Sequence, residues 1–250
     1  MAEPRLAWIT GASSGIGAAL ARELADHGWR VAVSARRADA LAKLCSERPQ
    51  RLWAYPLDVT DRAACAATAD AIAAELGAVD LAVFNAGIGA EFDVQHFDAD
   101  EVNRRMAVNY GGAVNGIGAV LPAMQQRGAG QIALTASVAG YRGLPGAAPY
   151  SASKAAMIAL AESLYLDLAG SGVDMSVICP GYVTTPLTAA RQGSMPFVIS
   201  AEAAAEHIRH GLEAKRFEIA FPRRMVWLLK TLQRLPYALY FSLIRRAAGR

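Results

Sequence analysis

Residues 10–17 read Thr10-Gly11-Ala12-Ser13-Ser14-Gly15-Ile16-Gly17, directly after the apolar run Leu6-Ala7-Trp8-Ile9 and directly before Ala18-Ala19-Leu20-Ala21-Arg22-Glu23-Leu24, a helical pattern. A strand that runs through closely spaced glycines straight into a helix has few ways to fold. Glycine reaches positive φ and lets another backbone or a ligand approach closely. The start of the helix leaves free N–H groups and partial positive charge at the turn, which suits a pyrophosphate. The spacing is Gly-x-x-x-Gly-x-Gly, not the Gly-x-Gly-x-x-Gly fingerprint. No Gly-Lys-Ser/Thr follows, so the loop is not that of a nucleoside triphosphatase. Taken alone, the octapeptide fits a tight turn packed on a helix equally well.

The rest of the chain repeats the alternation. Short apolar runs predict strands near 5–10, 30–34, 51–56, 80–84, 131–136, 174–179 and 217–221, with helices near 15–27, 38–46, 61–76, 99–127, 149–170 and 201–214 between them. Strands that alternate with helices give βαβ units, an α/β fold and a parallel sheet. Gly28, Gly77 and Gly170-Ser171-Gly172 mark helix ends. At 250 residues and 54% hydrophobic content, one domain burying roughly 70–75% of its unfolded surface is expected. The first apolar run starts at Leu6, which leaves no room for a secretory or transit segment. Cys45, Cys65 and Cys179 show no Cys-x-x-Cys spacing. They predict neither a disulfide framework nor a zinc site, and fit a reducing cytoplasm. His207 and His210 gain no further ligand, so no metal is expected.

Later in the chain Tyr150 and Lys154 stand four apart, and Ser137 lies thirteen residues before the tyrosine. Positions i and i+4 share a helix face, so a phenol and an ammonium can act on one atom. A nearby positive charge favours the phenolate and brings a group of pKa near ~10 toward the working range. A bare Tyr-x-x-x-Lys is a weak signal, and the glycine loop in the same chain strengthens it. Together these residues resemble the short-chain dehydrogenase/reductase family, with its Thr-Gly-x-x-x-Gly-x-Gly loop and Tyr-x-x-x-Lys pair. The match runs from about Leu6 to Pro222, and Asp58, Asn85-Ala86-Gly87, Asn109, Pro180-Gly181, Val183 and Thr185 follow in the family order.

The resemblance implies a doubly wound, Rossmann-type sheet of seven strands in the order 3-2-1-4-5-6-7, with ligands outside the carboxyl ends of the strands. It implies reversible hydride transfer between a nicotinamide and a carbonyl/alcohol pair. Tyr150 would be the proton donor and Ser137 the group that positions the oxygen. Lys154 would lower the tyrosine pKa and hold the ribose. Asn109 would sit at a helix distortion that connects the lysine to solvent. Gly11, Ser13, Ser14, Gly15, Ile16 and Gly17 would hold the pyrophosphate, with Asn85, Ala86 and Gly87 beside it and Asn85 bracing the strands. Pro180, Gly181, Val183 and Thr185 would line the carboxamide end. Asp58 and Val59 would meet the adenine, although Asp58 also fits a helix cap.

At the end of the second strand, Ala35 stands where NAD-binding relatives carry an acid, and Arg36 and Arg37 follow. Guanidinium groups suit a 2′-phosphate, so NADP(H) is the expected cofactor. An arginine stacked on adenine in a site open to both cofactors is the alternative. A non-catalytic sensor or scaffold on the same fold is the second reading of function; such relatives tend to lose the tyrosine or lysine kept here.

Substrate choice would fall to loops carrying Phe92, Tyr141, Leu144, Tyr182, Leu187, Met195 and Phe197, which suggests an apolar or lipid-like carbonyl. Arg142 and Arg191 leave a carboxylate open. The net charge of +3 hides an asymmetry: residues 1–222 carry 18 basic and 22 acidic groups, while the tail has seven basic residues and no acid. Nothing in the domain calls for nucleic acid. Residues 1–222 are therefore read as the dehydrogenase domain and residues 223–250 as a basic amphipathic helical extension. Lys230, Gln233, Arg234 and Pro236 interrupt it, which disfavours spanning. Peripheral contact with an anionic membrane, or packing across the cleft or a subunit interface, remain its two uses. Family habit implies a homo-oligomer, dimer or tetramer.

Overall fold

The apolar runs become strands whose residues face protein on both sides. β1 (Leu6–Thr10) is buried at all five positions, and β4 (Leu81–Phe84) at all four. Such strands need helices on each face, the usual state of a parallel sheet. The computed structural model describes residues 4–89, 91–189 and 195–247. With β2 (Arg30–Ser34), β3 (Leu52–Ala54), β5 (Gly130–Thr135), β6 (Val173–Pro180) and β7 (Glu218–Phe221), the sheet has seven strands in the order β3-β2-β1-β4-β5-β6-β7. Every neighbouring pair is parallel, as the family resemblance implied.

Alternation along β1 sends its side chains to two cores. Leu6 and Trp8 join Phe84, Ile72 and Met157 on one face, beneath α3 (Arg62–Leu76), α5 (Gly112–Arg127) and α6 (Ala148–Asp167). Ala7 and Ile9 join Leu20, Leu24, Leu41 and Ile208 on the other, beneath α1 (Gly15–Asp26), α2 (Ala38–Ser46) and α8 (Ala201–Glu213). Trp8 meets Phe84 edge-on at 5.8 Å between centroids, a geometry that adds about 0.5–1.5 kcal/mol to area burial. Its indole N–H donates to Ser34 Oγ at 2.9 Å, so the buried donor is paired.

Three departures from expectation have local causes. The long helix expected over 99–127 is α4 (Ala99–Met106) and α5 joined by a π turn at Ala107–Gly111. Asn109 sits in that turn with its side chain drawn inward, accepting from Ile88 N at 2.7 Å and donating to Ile88 O at 3.0 Å. β3 is shorter than expected because Pro56 has no N–H to give, yet Tyr55 and Leu57 on either side still donate to Val33 O and Ala35 O. α3 starts at Arg62, capped by Asp61, whose carboxylate accepts from Ala64 N at 2.9 Å. A short helix, α7 (Pro186–Ala189), and 3₁₀ turns at 94–96 and 138–140 were not foreseen.

The tail folds as α9 (Arg223–Gln233) and α10 (Tyr237–Ala247), broken around Pro236. Met225 and Tyr240 are its buried side chains, and Tyr240 donates to Gly143 O at 2.7 Å. Among the described residues no helix is long and apolar enough to cross a membrane.

Tight packing under α5 gives a direct check. A Cβ at Gly116 would lie 2.1 Å from Phe84 Cε1. Gly116→Ala is expected to lower stability by about 1–3 kcal/mol through overpacking, read as a lower denaturation midpoint at unchanged slope.

Candidate active site

The turn after β1 and the turn after β4 lie in contact, and a cleft opens beside them. Gly11 has φ +68°, and a Cβ there would sit 2.6 Å from Ala86 Cα. No other residue fits that position without moving the backbone. Thr10 Oγ1 accepts from Asn85 N and Ala86 N at 3.1 and 3.2 Å, while Asn85 Nδ2 donates to Thr10 O at 3.2 Å. Asn85 thus braces the two strand ends. Gly17 lies behind this junction rather than on the cavity, pressed against Asn85 Nδ2 and Gly11 O.

The cleft has a volume of about 390 Å³. Gly11, Ser13, Ser14, Gly15 and Ile16 line it, with Arg36, Arg37, Asp58 and Val59 at one end. Asn85, Ala86, Gly87, Pro180, Gly181, Val183 and Thr185 lie along it, and Ser137, Tyr150 and Lys154 stand at the other end. Ser14 precedes α1 without using its side chain as a cap, so the first turn of the helix opens toward the cleft. Arg37 donates to Ser13 Oγ at 3.0 Å and Ser14 Oγ at 3.2 Å, which ties a guanidinium to the glycine loop. Asp58 is not the cap of α3; it accepts from Thr60 N and Oγ1, and these bonds hold its carboxyl below the usual range.

At the far end, Ser137 follows β5 and opens the 3₁₀ turn, accepting from Ala139 N and donating to Pro180 O at 3.2 Å. Its hydroxyl also lies close enough to the Tyr150 phenol to act on it. Burial pushes the Tyr150 phenol up, and the neighbouring Ser137 hydroxyl opposes that shift. The help expected from Lys154 takes another form. Its ammonium lies over the Tyr150 ring, 5.7 Å from the centroid, and donates to Thr135 O at 2.7 Å. Burial pushes Lys154 itself down to about 8. Asn109 does not line the cavity. It donates to Ser153 Oγ at 2.9 Å, and Ser153 in turn donates to Tyr150 O at 2.8 Å. Asn109 Oδ1 and Lys154 Nζ converge over Gly87, 3.3 and 3.4 Å from where its Cβ would be.

Sequence reasoning missed Thr135, Ala136, Ile88 and Val108, which also line the cleft. Thr135 Oγ1 is buried there with no hydrogen-bond partner among the described residues. Its place two residues before Ser137 on the same strand was the available signal. Of the apolar loop residues expected to shape substrate binding, Leu187 lines this cavity; Phe92 lies in a separate small pocket, and Tyr141 donates to Glu218 at 2.6 Å. Arg142 is not placed for a substrate carboxylate. It donates to the carbonyls of Leu232, Gln233 and Leu235 and lies against the rings of Tyr237 and Tyr240. Arg191, and Arg250 of the tail, lie outside the described residues.

The profile of the short chain dehydrogenase family matches residues 5–195. The chain belongs to this family. An uncharacterized oxidoreductase of Myxococcus xanthus is 37% identical across 97% of both chains. A crystal structure of a short-chain dehydrogenase from Streptomyces avermitilis superposes with a TM-score of 0.84 at 26% identity, covering 100% of this chain and 99% of that one. The actinorhodin polyketide ketoreductase with NADPH gives 0.78 at 28% identity, over 87% and 94% of the two chains. This is an oxidoreductase fold that binds a nicotinamide dinucleotide. Its cleft suits one: a glycine cradle that a Cβ would fill, a helix start open to phosphate, and an unpaired hydroxyl at Thr135.

The buried ammonium sets a pH dependence. Below about pH 8 both folded and unfolded chains hold the Lys154 proton, and the full cost of burying its charge is present. Between about 8 and the ordinary 10.5 only the unfolded chain still holds it, so this contribution to stability rises with pH. The stability of wild type relative to Lys154→Met is expected to climb across that window and stay flat below it. Parallel denaturation at stepped pH checks this.

Proposed function

We propose that this chain is an NADP(H)-dependent oxidoreductase that interconverts an apolar carbonyl and its alcohol, with Tyr150 as proton donor. One observation carries the reading: Tyr150 and Ser137 stand together at one end of a dinucleotide-sized cleft, and two arginines stand at the other. The residues that would hold the cofactor are the glycine loop at the pyrophosphate, Arg36 and Arg37 at the 2′-phosphate, Asp58 and Val59 at the adenine, and Val183 and Thr185 at the carboxamide. When bound, the nicotinamide supplies hydride to the carbonyl carbon.

The protein's own work is on the oxygen. Negative charge grows there as the carbonyl is reduced, and the Tyr150 hydroxyl gives its proton to complete the alcohol. Ser137 holds the oxygen by hydrogen bond while that charge develops. Lys154, held by Thr135 O, would return a proton toward Tyr150 and bind the ribose. Asn109 keeps the π turn in place beside it. Ile88, Val183 and Leu187 give the cavity apolar walls, which supports an apolar or lipid-like substrate. NADPH in the ketoreductase structure supports the cofactor choice. The proposal includes a homo-oligomer, dimer or tetramer, acting in the cytoplasm, with the tail free for peripheral membrane contact.

Tyr150→Phe is expected to lower turnover by about 10²–10⁴-fold, the usual share of a proton-transfer group, while NADPH binding, followed by its fluorescence, is retained. Comparable turnover in that variant would remove Tyr150 from its role. Replacing Arg36 and Arg37 together by Ala should raise KM for NADPH about tenfold or more, the worth of a lost charge-assisted phosphate bond. NADH should be almost unaffected, and equal losses for both cofactors would overturn the 2′-phosphate assignment.

A further inference from the structure

We propose that the outward face of α9 and α10 docks on an anionic lipid surface. Met225 and Tyr240 turn inward and anchor the two helices. On α9, Arg223 and Trp227 lie roughly 200° around the helix from Met225 at about 100° per residue, and Trp227 is 73% exposed. Arg224 and Leu228 stand beside them, also exposed. On α10 the flanks of Tyr240 carry Leu239, Phe241 and Leu243, of which Leu239 is 56% exposed.

The charge on this face has one sign. Residues 223–247 contain no Asp or Glu. Lys230 is paired with Glu218 of β7. Arg223, Arg224, Arg234, Arg245 and Arg246 form no ion pair among the described residues. Residues 1–222 carry a net −4, so the unopposed positive charge is gathered on this one element.

Three occupants compete, and the chemistry separates them. A second copy joined by a two-fold axis would set this face against itself, bringing arginine against arginine. Nucleic acid answers the arginines but leaves Leu239, Leu243 and Phe241 in water. An anionic bilayer satisfies both, with aromatic and aliphatic side chains in the headgroup region and arginines against lipid phosphates. Each helix has 11 residues, far short of the ~20 needed to span, so the contact is peripheral.

The face is held close to the cleft. A Cβ on Gly181, which lines the cavity, would be 2.5 Å from Met225 Sδ, and Tyr240 is bonded to Gly143 in the segment after Ser137. Docking would bring the cleft to the membrane surface; the use of this for an apolar carbonyl rests on the function proposed above, whereas docking itself does not.

The test is co-sedimentation of the full chain with vesicles of phosphatidylcholine alone or mixed with phosphatidylglycerol. The chain is expected to pellet with the mixed vesicles, stay in the supernatant with phosphatidylcholine alone, and be released by high salt. Arg245→Gln with Arg246→Gln should weaken the partition about tenfold or more, and Trp227→Ser with Leu239→Ser should do the same at unchanged salt dependence. All four side chains are exposed, so thermal melts and NADPH binding should match wild type. Wild type left in the supernatant with mixed vesicles overturns the proposal, as does equal binding to both vesicle types. Variants that change subunit number without changing sedimentation point to a second copy, and binding to duplex DNA without vesicle binding points to nucleic acid; either outcome overturns it too. Loss of reductase activity leaves the sedimentation result standing, so the two proposals fail separately.

Discussion

The turn leaving β1 and the turn leaving β4 press together with no room for a side chain between them. Gly11 meets the Ala86 backbone, Gly17 meets the Asn85 amide, and the Thr10 hydroxyl takes two N–H groups from the same partner. At this point the strand order reverses direction across the sheet, and open α/β sheets place their ligands at such switch points. Were either glycine to carry a Cβ, β1 and β4 would have to part. The cleft between the strand ends would lose both its floor and the approach of α1. Arg36, Asp58, Ser137 and Gly181 follow neighbouring strands at the same end of the sheet, and α6 brings Tyr150 and Lys154 to it.

At the reactive end, burial and a neighbouring hydroxyl pull in opposite directions. Burial alone makes Tyr150 a weaker acid and Lys154 a weaker base, since both charged forms lose water. The neighbouring Ser137 hydroxyl is the feature that opposes the effect of burial on the phenol. The ammonium is close to the ring but spends its short bond on the Thr135 carbonyl. Burial brings its pKa down to about 8, a value in keeping with the proton return proposed for it. Asn109 completes the frame by tying the π turn through Ser153 to the backbone of Tyr150. A regular α-helix through 107–111 would turn that side chain elsewhere, so the irregular turn and the orientation of α6 are one arrangement.

The sheet could be read from the chain because its signals are local: buried parallel strands are continuous apolar runs, and glycines mark the turns. The helix at 99–127 was placed correctly in extent, but composition alone does not show where an extra residue enters a turn. That depends on Ile88, 21 residues away. Asp58 and Asp61 are both plausible caps by spacing, and only the position of the first helical turn chooses Asp61. Tyr141 and Arg142 looked like substrate groups because they sit on a loop after Ser137. Their partners are Glu218 and residues 232–235, which no short-range pattern links to that loop. Loop aromatics and arginines serve packing as readily as binding, and here the tail claims both.

The tail therefore has two faces with different physical reasons. Inside, Arg142 donates to three carbonyls at and just beyond the end of α9, where carbonyls run short of intrahelical partners. A guanidinium there also opposes the negative end of the helix dipole, and the Tyr237 and Tyr240 rings cover it. These bonds fix the chain at the break before α10 and explain why a helix with one fully buried side chain stays in place. Outside, nothing in the fold accounts for the aromatic and aliphatic side chains left in water, at a cost of roughly 25 cal/mol for each Å² kept exposed. A segment that needed only to close the core would have carried polar residues there. Because the anchor is independent of the outer face, that face is free to answer to a partner instead of to the fold.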